Sequence, residues 1–279
     1  MATEPDQRPP PVPAGTLTLG QILGGAFRLV GITPLVTVVL PILAALVEVG
    51  VFLAIDPPYG RLTGIRALDF AAAAALLWVV LGTIPAAATF VVLDRAVRGE
   101  RIGAAAALAV GLRRAPGLVA VYLLNLVVVA VIAAVGLIPV AVLQWIGTSQ
   151  FWRLVGGPVL TLSIVAMGIY AWVVHISLIV AGPAYVVEDI GVPGALARSR
   201  RLAPGNWWRT FGTLLVAGLV VAVVAAPAVI PALMIGPGRG AYLAGGLWAA
   251  LIMGFAAPFV TGVIGLIHVD QRVPWRSFR

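Results

Sequence analysis

The chain has 279 residues, of which 61% are hydrophobic and 10% are charged, and its mean hydropathy is +1.08. A chain this apolar cannot hide its side chains in one water-soluble core, so the composition predicts an integral membrane protein. All 18 basic residues are arginine and the formal net charge is +8. The chain has no cysteine, which excludes disulfides and thiolate metal sites.

The chain opens with a proline-rich stretch that carries Glu4 and Asp6 and lacks the basic and apolar regions of a signal peptide. Residues 1–15 are therefore predicted to form a disordered tail, and residues 16–276 a single membrane domain. A bilayer core of about 30 Å needs about 20 apolar residues in a helix. Six runs qualify, and we predict an all-α protein with six transmembrane helices, roughly at 32–55, 70–93, 118–146, 155–187, 211–235 and 242–269.

Arginine is distributed unequally between the two sides that six spans define. The side with both termini carries 14 of the 18 arginines, and the other side carries Arg61, Arg66, Arg153 and Arg239. Because basic residues accumulate on the cytoplasmic side, both termini are predicted to be cytoplasmic in a bacterial plasma membrane. This sorting explains the net charge, so no nucleic-acid partner is expected.

A short amphipathic segment precedes the first, third and fifth predicted spans, which suggests interfacial helices. Each segment has an apolar face and an arginine in the same position off that face, Arg28, Arg113 and Arg201, at offsets of 85 and 88 residues. One interpretation is a unit of interfacial helix plus two spans, used three times. The other is that any surface helix before a span has this pattern. The apolar faces comprise Leu19, Ile22, Leu23, Ala26, Leu29 and Val30; Ala104, Ala107, Leu108, Gly111 and Ala115; and Val192, Ala195, Leu196, Ser199, Leu202 and Ala203.

Four short motifs resemble one bacterial family. They are T-L-G-Q-I-L-G-G-A-F-R before the first span, D-R-A-V-R-G-E after the second, V-E-D-I-G-V-P-G-A-L-A-R-S-R-R-L before the fifth and H-V-D-Q-R-V at the end. The family is the membrane domain associated with glycerophosphoryl diester phosphodiesterases and its stand-alone actinobacterial relatives. In full-length family enzymes, catalysis belongs to a separate soluble domain that this sequence lacks. The resemblance thus implies a six-span membrane module and does not carry hydrolase activity over.

The sequence contains no recognisable arrangement of catalytic groups. Its two histidines, His175 and His268, have no metal-ligand spacing, and no phosphate-binding loop is present. We therefore expect a protein that is not an enzyme, with no metal and no cofactor.

Three polar residues fall inside predicted spans, where burying them is costly. Glu48, Asn125 and His175 would form a polar path if they converged, as a transporter requires. Alternatively, Glu48 pairs with Arg61 or Arg66, while the other two form hydrogen bonds between helices.

The sixth span carries a stripe of small residues, Gly246, Ala250, Gly254 and Gly262. Such a stripe allows a second helix to approach closely, either within the bundle or across a homodimer. Pro85, Pro183 and Pro258 fall in the even-numbered spans, where each removes a helix hydrogen bond and favours a kink.

The cytoplasmic ends of the even-numbered spans carry carboxylates, namely Asp94, Glu188, Asp189 and Asp270. We expect them to form ion pairs with neighbouring arginines. Arginines left over would contact anionic lipid headgroups or a membrane protein partner, and the candidates are Arg28, Arg113, Arg198, Arg200, Arg201 and Arg209. The sequence thus favours a non-enzymatic membrane module, with a small transporter or lipid-translocating protein as the alternative.

Overall fold

The computed structural model describes residues 17–55, 65–146, 150–234 and 239–272. The predicted tail, residues 1–15, lies outside these ranges, as do residues 273–276 of the predicted membrane domain. Every element in the described ranges is helical: α1 Leu19–Ile32, a π-helical turn Leu35–Val39 that continues into α2 Leu40–Ile55, α3 Ile65–Val97, α4 Ala104–Ile146, α5 Gln150–Leu178, α6 Ala181–Val187, α7 Val192–Leu202, α8 Trp207–Met234 and α9 Arg239–Arg272.

The helices confirm the all-α membrane fold predicted from hydropathy. Five stretches are long and apolar enough to cross a membrane. Four lie in α3, α4, α8 and α9, and the fifth runs through α5 and α6. The sixth candidate is broken, because α1 is bent by 100° relative to the helix that begins at Leu35. The break lies at Thr33 and Pro34. The helical conformation is sterically disfavoured for a residue that precedes proline, as Thr33 does. The described residues thus contain five or six helical segments that are long and apolar enough to cross a membrane.

Two boundaries differ from the predicted runs. The middle amphipathic segment does not form a separate interfacial helix but is the first part of α4, which is 43 residues long. It packs on α3 so closely that a Cβ on Gly111 would lie 3.0 Å from both the Ala88 Cβ and the Ile84 carbonyl oxygen. The fourth predicted span is divided into α5 and α6. Pro183 lies in the first turn of α6, where a backbone N–H would have no acceptor within the helix, so proline costs no hydrogen bond there.

α9 packs against α1, α2, α3 and α8 and forms the centre of the bundle. Its small-residue stripe faces the start of the chain: Gly246 approaches Val49, Gly254 approaches Ile42, and Gly262 approaches Leu29 and Ala26. Ala250 is buried as well. The neighbour across the stripe is therefore intramolecular, formed by α1 and α2.

The amphipathic pattern of α1 and α7 serves protein packing as well as the surface. In α1, Ile22, Ala26 and Leu29 are buried in the core that also contains Leu266, whereas Leu19 is exposed. Thr18 and Gln21 form a capping box that fixes where this helix begins. In α7, Ala195 and Ser199 are buried, and the Ser199 hydroxyl donates to the Ser177 carbonyl of α5 at 2.8 Å.

Candidate functional site: the arginine-rich rim

The charged residues gather at one end of the bundle, where α1, α4 and α8 begin, α3, α6 and α9 end, and α7 lies. We call this end the arginine-rich rim. Its hub is Glu188, at the end of α6. The Glu188 carboxylate pairs with Arg198 of α7 at 3.1 Å and with Arg272 of α9 at 3.1 Å, and His268 Nε2 lies 3.2 Å from its Oε1 atom. One carboxylate thus joins α6, α7 and α9.

Asp94 extends this network to α3. Its carboxylate lies 2.7 Å from Arg98, one turn further along the chain, and 3.9 Å from Arg272. Arg272 therefore contacts both Asp94 and Glu188, so one guanidinium of α9 connects the ends of α3 and α6.

Asp270 holds the start of the described chain. Its side chain is only 4% exposed, accepts a hydrogen bond from the Leu17 backbone N–H at 2.6 Å and pairs with Arg209 of α8. Arg209 also donates to the Leu17 carbonyl. The Leu17 backbone is thus bound through both its N–H and its C=O, which fixes the approach to α1.

Asp189 occupies the turn between α6 and α7 with a φ of 54°, in the left-handed region that aspartate tolerates better than most residues. Its exposed carboxylate lies 2.6 Å from Arg114 of α4. The Arg114 guanidinium also lies 6.0 Å from the centre of the Tyr185 ring. The structure therefore places an arginine beside each of the four carboxylates named from the sequence.

The six candidate lipid-contacting arginines divide into two groups. Arg198 and Arg209 are not available as unpaired cations, because Glu188 and Asp270 hold them, and this corrects the sequence-based expectation for those two. The side chains of Arg28, Arg113, Arg200 and Arg201 are exposed, and within the described ranges no carboxylate lies at ion-pair distance from them. Arg28 and Arg201 each donate through Nε to a carbonyl of their own helix, at 3.4 and 3.3 Å.

Two of the three intramembrane polar residues contact each other. Asn125 of α4 and His175 of α5 meet, with Asn125 Oδ1 3.0 Å from His175 Nδ1. Glu48 is half-buried on α2, and no hydrogen bond links it to either of them in the described part of the chain. Its expected partners, Arg61 and Arg66, lie outside the residues whose side chains are described.

A second polar cluster was not anticipated from the sequence. The Gln271 amide donates to Thr210 Oγ1 at 2.8 Å, and the Gln271 Oε1 atom is buried without a hydrogen-bond partner. Small cavities flank this pair, one reaching Ile22 and Asp270 and the other reaching Ile176 and Trp207. We call Thr210, Gln271 and the two cavities the polar seam. A sequence signal exists, since Arg209, Thr210 and Thr213 recur at helical spacing along one face of α8, with Asn206 just before its start.

The described residues include no group of three or more His, Asp or Glu side chains able to hold a metal ion. What the rim offers a ligand is guanidinium groups, which donate hydrogen bonds and carry positive charge.

Fold and rim together define an all-α protein with several helices able to cross a membrane and one strongly basic end. Comparisons with protein-family models, curated proteins and solved structures find no match. The resemblance to the phosphodiesterase-associated membrane domains therefore stays a prediction.

Proposed function

We propose that the chain is a non-enzymatic module of the bacterial plasma membrane, with both termini in the cytoplasm, which associates with anionic lipid headgroups through the arginine-rich rim. The observation that carries this proposal is the division among the rim arginines. The rim carboxylates are already engaged by other arginines, whereas Arg28, Arg113, Arg200 and Arg201 are exposed and face no described carboxylate.

The energetic argument concerns charge at a membrane surface. A basic side chain near an anionic leaflet contributes about 1 kcal/mol. These four arginines would together contribute up to about 4 kcal/mol if their effects add. Because exposed charges are screened over about 10 Å at 0.1 M salt, this attraction should weaken as salt is raised.

The transporter alternative has less support from the arrangement of polar residues. It requires Glu48, Asn125 and His175 to converge on one path. Only Asn125 and His175 contact each other. Hydrogen bonds between side chains of neighbouring helices are a usual way to hold membrane helices together. Glu48 joins neither of them within the described residues.

The test is extraction of the protein from its own membrane into polymer nanodiscs, followed by analysis of the lipids and proteins that accompany it. We expect enrichment of anionic phospholipid over the bulk membrane. Replacing these four arginines, Arg28, Arg113, Arg200 and Arg201, by glutamine should abolish the enrichment. The matched control replaces the four arginines expected on the opposite side, Arg61, Arg66, Arg153 and Arg239, and should retain it.

Two outcomes would overturn the proposal. One is a lipid composition equal to that of the bulk membrane in the wild-type nanodiscs. The other is a stoichiometric protein partner, lost in the rim variant and accompanied by no enrichment of anionic lipid, which would favour a partner-binding module.

A further inference from the structure

α8 is held against the bundle unevenly. It packs along α9 through Thr210, Thr213 and Ala217, all of which are buried, but it meets α5 over a small area. The contacts that define this meeting lie near the start of α8, where the Trp207 indole N–H donates to the Val173 carbonyl at 3.2 Å. The first turn of α8 is therefore attached to α5.

Beyond this attachment, residues of α5 and α8 on the same helix faces as Val173 and Trp207 are exposed. Phe211 stacks on Trp207, with ring centres 5.4 Å apart, and Gly218 lies two turns further along the same face of α8. Gly218 is exposed, and a Cβ there would meet nothing within 4 Å. On α5, Ile169 lies one turn before Val173 and is 61% exposed. We call the apolar space beside Phe211, Gly218 and Ile169 the α5–α8 groove.

The polar seam lies at the base of this groove. One of its cavities is lined by Ile176 and Ser177 of α5, Trp207 and Thr210 of α8, and Gln271 of α9. Gln271 lines both cavities of the polar seam, and its buried Oε1 atom has no hydrogen-bond partner. An unsatisfied buried acceptor costs about 1–3 kcal/mol, so a hydroxyl or water that donates to it is favoured.

Two exposed arginines precede α8 in the chain. Arg200 and Arg201 belong to the last turn of α7, which is followed after a short turn by Trp207. Trp207 and Trp208 pack edge to face at 4.8 Å, and Trp208 is 77% exposed. Tryptophans are enriched where a membrane protein meets the headgroup layer. The segment that leads into the base of the groove thus carries two guanidinium groups and an interfacial aromatic pair.

We propose that the α5–α8 groove binds one anionic phospholipid with a hydroxylated headgroup, drawn from the cytoplasmic leaflet. Its phosphate lies against Arg200 and Arg201, a headgroup hydroxyl donates to Gln271 Oε1, and its acyl chains lie along the groove beside Gly218. This inference rests on the proposed function and names the site and the lipid class within it. The positive charge of Arg200 and Arg201 favours a phosphate group, and the unpaired Gln271 Oε1 atom favours a headgroup with a hydroxyl.

The test uses the full chain, delipidated in detergent and titrated by native mass spectrometry with phosphatidylglycerol, phosphatidic acid or phosphatidylcholine. Wild-type protein should retain one phosphatidylglycerol, preferred over phosphatidic acid and more strongly over phosphatidylcholine. Gly218→Trp fills the groove without altering charge and should remove this lipid. The control Gly212→Trp adds the same side chain 120° around α8, at another glycine with open space around it, and should leave retention unchanged.

Two further variants separate the polar contributions. Replacing Arg200 and Arg201 by glutamine should weaken phosphatidylglycerol retention about 30-fold. Gln271→Leu removes the acceptor and should reduce the preference for phosphatidylglycerol over phosphatidic acid about fivefold, leaving phosphatidic acid retention unchanged. Size-exclusion profiles identify any variant that fails to fold.

The outcomes distinguish this inference from the proposed function. Retention of anionic lipid by Gly218→Trp at the wild-type level overturns the groove site but leaves rim association intact. A wild-type protein with no preference for anionic lipid overturns both. A mass of two chains without lipid, lost in Gly218→Trp, would show that a second copy occupies the groove and would also overturn the inference.

Discussion

Replacing Gly254 by alanine tests whether α2 packs on the small-residue stripe of α9. An alanine Cβ there would lie 2.3 Å from Ile42 Cγ1 and 2.6 Å from Ile42 Cδ1. The carbons must separate by roughly 1 Å to reach ordinary van der Waals contact. Because isoleucine is branched at Cβ and stiff at χ1, it cannot turn away freely. We expect an overpacking cost of about 1–3 kcal/mol.

The same substitution also raises helix propensity, by about 1 kcal/mol. A double-mutant cycle with Ile42→Ala separates the two effects, since Ile42→Ala removes both carbons that the new Cβ would meet. Gly254→Ala should destabilise the wild type but stabilise the Ile42→Ala background. The expected coupling free energy is about 1–3 kcal/mol.

The assay is equilibrium unfolding by SDS titration in mixed micelles, followed by circular dichroism. Gly245→Ala is the matched control, because this glycine lies on the same helix with nothing within 4 Å of its Cβ position. It should be neutral or stabilising in both backgrounds. The packing argument is refuted if Gly254→Ala behaves like Gly245→Ala, or if the coupling energy is below about 0.5 kcal/mol.

The remaining predictions concern α4, the rim and the topology. Gly117→Ala should destabilise the fold by about 1–3 kcal/mol, because its Cβ would lie 1.8 Å from the Tyr185 hydroxyl oxygen. Asp270→Asn should cost about 3 kcal/mol in the same unfolding assay, since it breaks a buried pair with Arg209, which is one-third exposed. A single cysteine at Ser149, in a chain with no other cysteine, should react with an impermeant thiol reagent added outside intact cells.

Each of these has a control within the chain. Gly168→Ala adds the same methyl group where nothing lies within 4 Å and should not destabilise. Glu100→Gln removes an exposed ion pair with Arg95 and should leave the stability almost unchanged. A cysteine at the exposed Ala105 should react only after permeabilisation. Equal effects of the paired variants, or labelling in the reverse order, would contradict the corresponding assignment.

Hydropathy predicted the helices well because bilayer thickness sets the length of an apolar run. Hydropathy did not predict that the third span and the amphipathic segment before it form one helix, α4. The segment around Arg113 is amphipathic and contains Pro116, so the sequence suggests a separate helix. In the structure this segment packs closely on α3 at Gly111 and is continuous with the rest of α4. Tertiary contact decides this, and a single sequence does not contain it.

In the rim, too, the sequence predicted some features and could not predict others. The sequence identified the carboxylates, since charged groups at span ends must find water or a partner. It could not assign partners, because Arg272 reaches Asp94 across 178 residues and Arg209 reaches Asp270 across 61. For that reason Arg198 and Arg209 were counted among the arginines without a carboxylate partner, whereas Glu188 and Asp270 pair with them. The buried acceptor of Gln271 was also beyond prediction, because whether a glutamine is satisfied depends on which side chains surround it.

The most direct test of lipid association is electron paramagnetic resonance with spin-labelled lipids in reconstituted vesicles. The fraction of motionally restricted label should be larger for phosphatidylglycerol than for phosphatidylcholine at low salt. The difference should shrink as salt rises and vanish when Arg28, Arg113, Arg200 and Arg201 are all glutamine. Equal restriction of the two labels by the wild-type protein at low salt would contradict the proposal that this rim associates with anionic lipid.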